Sequence, residues 1–192
     1  MRKTTLFTLL LAIAALWQAN AEAAKRPNVL FIIADDQSPF DFKAYDPSSP
    51  LDAPAIGGMA SEGMTLDQAY HMGSMSGAVC SPSRTMVMSG RTLWHLPRRG
   101  KKHLKREEGV TKGEDILNNT IPAVFNRAGY DTMRTCKNGN SYNSANELFT
   151  VREDATKRGG TPETGSEWHG DRVINYLNGR EKANDPDPFF IY

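Results

Sequence analysis

The apolar positions fall into short runs separated by polar, Gly- and Pro-rich stretches. Asn28-Val29-Leu30-Phe31-Ile32-Ile33-Ala34 is a continuous run rich in β-branched residues. It predicts a strand buried on both faces, as in a parallel sheet. The run ends in Asp35-Asp36, and residues 37–53 read as loop from Pro39, Pro47, Pro50 and several Asp and Ser. Pro54 opens a helix to about Glu62, with Gly63 as its stop. Met64 to Tyr70 reads as a strand. Pro82 sits where a first helical turn tolerates proline, so a helix is expected from just after Cys80 to Ser89.

A charged connector, PRRGKKHLKREEGVTKGED, covers residues 97–115. Thr120 with Pro122 begins another helix, which Gly129 caps. Tyr130 to Cys136 reads as a strand, and residues 137–165 as mostly loop. Ser166 to Arg180 has helical spacing, with Trp168, Val173, Ile174 and Leu177 apolar. Pro188-Phe189-Phe190-Ile191-Tyr192 begins a further buried strand. Strands alternating with helices predict an α/β fold with a mainly parallel sheet flanked by helices. Because chain ends normally lie at the surface, a buried strand cut at its fifth residue leads to the expectation that residues 27–192 are an N-terminal portion of a larger domain.

The first residues carry a different pattern. Arg2 and Lys3 precede an apolar stretch from Leu6 to Trp17. Ala19-Asn20-Ala21 and Ala21-Glu22-Ala23 both have the small-x-small form of a cleavage site. The stretch is short for crossing a bilayer of about 30 Å. Residues 1–23 therefore read as a signal peptide, and the mature chain as secreted or periplasmic. No other segment is apolar enough to span. With 23 basic and 22 acidic residues the net charge is +1, which gives no reason to expect a nucleic-acid partner.

Export bears on the two cysteines, Cys80 and Cys136. In an oxidising compartment their default use is one disulfide. Two other readings compete with it. Asp35-Asp36 lies at the carboxyl end of a predicted parallel strand, where α/β sheets bind ligands. Paired carboxylates there suit a hard cation, though a solvated acidic turn would look the same. Cys80 precedes a predicted helix, whose N-terminus favours an anion. Arg84, one turn on, presents a planar fork of donors suited to sulfate, phosphate or carboxylate.

CSPSRTMVMSGR, residues 80–91, resembles the signature of the type I sulfatases, C-x-P-S-R followed by T/S-G-R. PNVLFIIADDQ resembles that family's opening strand and metal-binding Asp pair. APAIGGMASEGMTLDQAY resembles its next helix and strand, TIPAVFNRAGYDTMRTCKNGN its helix-strand-lysine segment, and PDPFFIY the strand before a histidine-bearing loop. The resemblance covers nearly all of residues 27–192, in the family's order, and the cysteine motif is its specific part.

The resemblance implies an alkaline-phosphatase-like α/β core and a sulfuric ester hydrolase. In that family a dedicated enzyme oxidises the cysteine to formylglycine. One hydroxyl of the hydrated aldehyde attacks the sulfate ester, and the other allows sulfate to leave and the aldehyde to re-form. Carried over, Cys80 is the converted residue, and Asp35, Asp36 and residue 80 hold Ca²⁺, with Mg²⁺ as the alternative. Arg84 bonds the diol, and Lys137 contacts the sulfate. Aryl sulfates, choline sulfate and sulfated glycans are all compatible substrates. A phosphonate or phosphate ester hydrolase of the same superfamily and an inactive truncated relative are the alternatives.

The sequence departs from the family where Lys-Trp-His is common, reading Lys137-Asn138-Gly139. His169 and Asn140 are candidates to compensate, and His169 is assigned no role. A later Asp-Asn pair, histidine and lysine of the family would lie beyond Tyr192. Cys136 has no role carried over and reads as a buried strand-end residue. Arg98 to Arg106 reads as a solvated loop, with a basic rim for a sulfated polysaccharide as the alternative. Met86 and Met88 read as packing residues.

Overall fold

The computed structural model describes residues 26–70, 73, 80–92, 95, 117–137, 139, 142–156, 162 and 165–192. The signal-peptide reading and the charged connector fall outside them. Among the described residues no helix is long and apolar enough to cross a membrane.

The chain begins with strand β1 (Val29–Leu30) and a short 3₁₀ helix (Pro39–Asp41). Helix α1 (Pro54–Glu62) and helix α2 (Cys80–Ser89) follow. Next come helix α3 (Ile121–Arg127), strand β2 (Asp131–Arg134) and the one-turn helix α4 (Asn143–Asn146). Strand β3 (Val151–Arg152), helix α5 (Ser166–Ala183) and strand β4 (Phe189–Ile191) complete it. The four strands form one sheet in the order β1-β4-β2-β3. Every pairing is parallel: Val29 lies opposite Phe190, Thr132 opposite Phe190, and Met133 opposite Val151. All strands therefore present their carboxyl ends at one edge. This is the α/β architecture with a parallel sheet that the alternating pattern predicts.

Turn chemistry sets the helix boundaries. Pro54 occupies the first turn of α1, and Gly63 ends it through a bond from its N–H to the Met59 carbonyl. Pro122 opens α3 after Thr120. Ala128 closes the helix and Gly129 follows at φ +75°, a left-handed backbone that glycine adopts without steric cost. α5 runs three residues beyond Arg180 and ends at Asn184, also left-handed at φ 50°.

The core lies on the sheet face covered by α2, α3 and α4. Met88, Tyr142, Ala145, Phe149, Phe190 and Tyr192 form its buried cluster. Phe190 stacks on Phe125 at 4.2 Å between centroids and lies 6.3 Å from Phe149. Burying one such ring contributes about 1.5–3 kcal/mol. Met88 is fully buried, as its packing role requires.

Two expectations need correction. The run 28–34 is not buried on both faces: only Val29–Leu30 is strand, and Leu30 and Ile32 are 51% and 71% exposed. Among the described residues β1 is an edge strand, paired on one side by β4, so one face and one edge stay open. Met64 to Tyr70 is not a strand but an exposed turn-containing segment, with no described strand beside it to complete a ladder. The described part of 137–165 is mostly loop, as expected, and also contains α4 and β3; Val151-Arg152 finds a pairing edge on β2 that its own pattern does not announce.

Candidate functional site

The site is assembled at the carboxyl edge of the sheet. The segment after β1 carries Asp35 and Asp36. The segment after β2 carries Lys137. The first turn of α2 supplies Cys80 and, one turn on, Arg84. Parallel pairing of β1, β4 and β2 brings residues about a hundred positions apart to one place.

The five side chains predicted from the sequence converge. Ligand atoms of Asp35, Asp36 and Cys80 all lie within 4.8 Å of one another. The Cys80 thiol donates to Asp35 Oδ1 at 3.4 Å, and Lys137 Nζ lies 3.8 Å from Cys80 Sγ. Lys137 also donates to Asp35 Oδ2. Arg84 Nη2 stands 3.5 Å from Asp35 Oδ1. The Cys80–Cys136 disulfide weighed from the sequence does not form, as both cysteines are free.

The electrostatics follow from this geometry. Burial opposes ionisation of Asp35, but hydrogen bonds from Lys137 and Cys80 and the charges of Arg84 and Lys137 outweigh it. They hold the carboxyl below its ordinary value. Asp36 adopts a left-handed backbone at φ 59°, sparsely populated for a residue other than glycine and typical of sites where function fixes the chain. The Arg84 side chain is 6% exposed, and its Nη1 is buried without a hydrogen-bond partner. A buried guanidinium with an open donor is costly until an acceptor meets it.

The donor set fits a hard cation. Two carboxylates offer oxygen ligands; a thiol sulfur would suit such an ion poorly, but an oxygen at residue 80 would add a third oxygen to a set that needs more ligands than these. Cys80 Sγ marks where one such oxygen would sit.

His169 was given no role from the sequence, and the structure places it against Thr135, just past the end of β2. Its Nδ1 lies 2.6 Å from Thr135 Oγ1, two residues before Lys137. The threonine hydroxyl also lies 3.0 Å from the Glu153 carbonyl. Burial lowers the His169 pKa; Asp154 works against that and Arg134 with it. Asn140 lies outside the described residues. Sequence reading also missed Arg134, 1% exposed, paired at 2.5 Å with Asp154 beside the site. An arginine at an inward position of a predicted strand was the available signal.

The sulfatase family model matches residues 27–192. This chain belongs to the sulfatase family. N-acetylglucosamine-6-O-sulfatase of Bacteroides thetaiotaomicron is 29% identical over 133 residues, which is 65% of this chain and 21% of that protein. Arylsulfatase of Klebsiella aerogenes is 30% identical over 130 residues, covering 62% of this chain and 25% of the relative. Human steryl-sulfatase is 37% identical over 76 residues, covering 40% and 12%. The matches thus span a quarter or less of these sulfatases' lengths. No solved structure matches the chain.

Proposed function

We propose that the protein carrying this chain hydrolyses a sulfate ester, with residue 80 acting as formylglycine. The observation that carries the reading is the convergence of Cys80 Sγ with Asp35 and Asp36 inside 4.8 Å, flanked by Arg84 and Lys137. The nearness of five residues that match the family's motifs supports the reading.

Hydrated formylglycine at position 80 would supply a geminal diol: one hydroxyl would attack sulfur and displace the alcohol, and the other would lose its proton as the carbon–oxygen bond to sulfate breaks and the aldehyde re-forms. Asp35, Asp36 and residue 80 would hold a divalent cation, Ca²⁺ in preference to Mg²⁺, which would offset the charge on the sulfate oxygens. The chain's own residues do the rest. Asp35 accepts from residue 80 and fixes its direction. Arg84 keeps one donor open in a buried position, where a diol oxygen would be its acceptor. Lys137 places a compact positive charge within reach of residue 80, where a sulfate oxygen would be bound.

Conversion of Cys80 requires a formylglycine-generating enzyme as a maturation partner. The N-terminal segment read as a signal peptide supports export before or during use. Parallel turnover of an aryl sulfate and an aryl phosphonate ester by the full-length, converted protein tests the reaction class. The sulfate should be the better substrate, and Cys80→Ala should abolish its turnover. Turnover of the phosphorus ester alone would overturn the assignment.

A further inference from the structure

Helix α5 holds strand β2 at two points. Asp131, Met133 and Thr135 alternate along one face of the strand and its extension. Asp131, at the start, accepts from Tyr176 and Arg180 of α5. Thr135, just past the end, shares a 2.6 Å hydrogen bond with His169, in the first turn of the same helix. His169, Tyr176 and Arg180 follow one another at intervals of seven and four residues, so they fall on one stripe of α5. Of the two contacts, the one through His169 lies at the carboxyl edge of the sheet, where the site stands.

Several bonds meet on the short segment that leads to Lys137. The Thr135 N–H donates to the carbonyl of Tyr192, after β4, at 2.9 Å. The Cys136 carbonyl accepts from the N–H of Ala155, after β3, at 2.9 Å. Such ladder bonds run between strands in the plane of the sheet. The bond from His169 instead comes from the helix layer and resists movement out of that plane. The ring that makes it is braced: Trp168 stands edge-on to it at 5.0 Å, and Arg172 lies over Trp168 while pairing with Glu153 at 3.6 Å.

We infer that His169 is a positioning residue: through Thr135 it fixes the segment that carries Lys137 beside residue 80. The hold itself is independent of the reaction, while its effect on turnover rests on the sulfatase reading. Lys137 Nζ lies 3.8 Å from Cys80 Sγ and donates to Asp35, so movement of the segment shifts a positive charge relative to the nucleophile. A misplacement of about 1 Å in such a group costs on the order of 100-fold in rate.

The test uses full-length protein produced with a formylglycine-generating enzyme, at a temperature where urea unfolding shows each variant folded. His169→Leu removes the bond and keeps the bulk. It should lower kcat/KM for an aryl sulfate about tenfold or more. His169→Asn, whose amide puts a polar atom near the Nδ1 position, should restore most of that loss. Thr135→Val should cost at least as much as His169→Leu, and combining the two should add little, because both remove one contact. Should His169→Leu not fold, Thr135→Val carries the same question. Asp131→Asn loosens the far end of the same helix and should leave kcat/KM within about twofold of the wild type. The assignment is overturned if the folded His169→Leu or Thr135→Val protein keeps kcat/KM within about threefold, or if their losses multiply fully in the double variant. It is also overturned if His169→Asn falls as far as His169→Leu, or if Asp131→Asn falls as far as either, since a merely structural tie would behave so. Amide hydrogen exchange separates the hold from the reaction class. Amides of Thr135 to Lys137 should exchange about tenfold faster or more in His169→Leu than in the wild type and in His169→Asn. If no sulfate ester is turned over but this exchange is seen, the hold stands and the sulfatase reading falls. Unchanged exchange overturns the hold whether or not the ester is turned over.

Discussion

Replacing Asp131 with asparagine should cost about 2–3 kcal/mol of stability at neutral pH. Asp131 opens β2, and its carboxylate gathers three elements. Oδ2 accepts from Tyr176 Oη at 2.6 Å and from Arg180 Nη1 at 2.6 Å, both on α5. Oδ1 accepts from Thr150 Oγ1 at 2.5 Å, just before β3. Hydrogen bonds to a charged group are worth about 1.5–3 kcal/mol each. The full sum is not expected, because Asp131 is partly exposed and Arg180 retains Asp185 at 2.8 Å. Burial opposes ionisation of Asp131, but Thr150, Tyr176 and Arg180 outweigh it and lower its pKa. A carboxylate lowered on folding contributes stability above its unfolded value of 3.8, and that contribution is lost as pH falls through the folded value. The gap between wild type and Asp131→Asn should therefore be full at pH 7 and shrink below about pH 4. Urea unfolding followed across that range measures it as a shift in midpoint at constant slope. A neutral-pH gap under about 0.5 kcal/mol, or one that does not narrow in acid, would refute this account of how α5 is tied to the sheet.

Three other outcomes follow from particular contacts. Phe190→Ala should destabilise by about 3–5 kcal/mol in chemical unfolding, since Phe190 is 2% exposed and stacked between Phe125 and Phe149. Gly129→Ala should cost about 1–2 kcal/mol in the same assay: the backbone there is left-handed at φ +75°, and a Cβ would stand 2.9 Å from Arg26 Nη1. Most of that cost should come from the backbone, because the arginine tip can move aside. Chelation of divalent ions should lower sulfate-ester turnover at least tenfold and Ca²⁺ should restore it, while calorimetric Ca²⁺ binding should be lost in Asp36→Ala.

Local chemistry was legible wherever one residue decides it. Pro54 with Gly63, and Pro122 with Gly129, bracket their helices because proline and glycine act through the backbone regardless of what packs nearby. The candidate site was legible for a related reason. Asp35-Asp36 and Cys80 with Arg84 are candidates by residue type and spacing, Lys137 and the use of Cys80 in the site come from the resemblance to the type I sulfatases, and parallel pairing brings them to one edge. What was hidden depends on partners. β1 reads as buried because Val, Leu and Ile are apolar, yet whether a strand is central or at an edge is set by distant segments, and Ile32 is exposed. β3 is two residues long and exists because β2 offers it a ladder. Met64 to Tyr70 has strand-forming residues without such a ladder. The contact of His169 with Thr135 joins α5 to the end of β2, so no local pattern could announce it.

The central claim is that position 80 acts as an aldehyde-derived nucleophile in sulfate-ester hydrolysis. Mass analysis of the peptide containing residue 80 tests it most directly, using full-length protein produced with a formylglycine-generating enzyme. The account predicts a peptide in which the cysteine sulfur is gone and an aldehyde oxygen has taken its place. A retained thiol at Cys80, or a disulfide from Cys80 to Cys136, would contradict it.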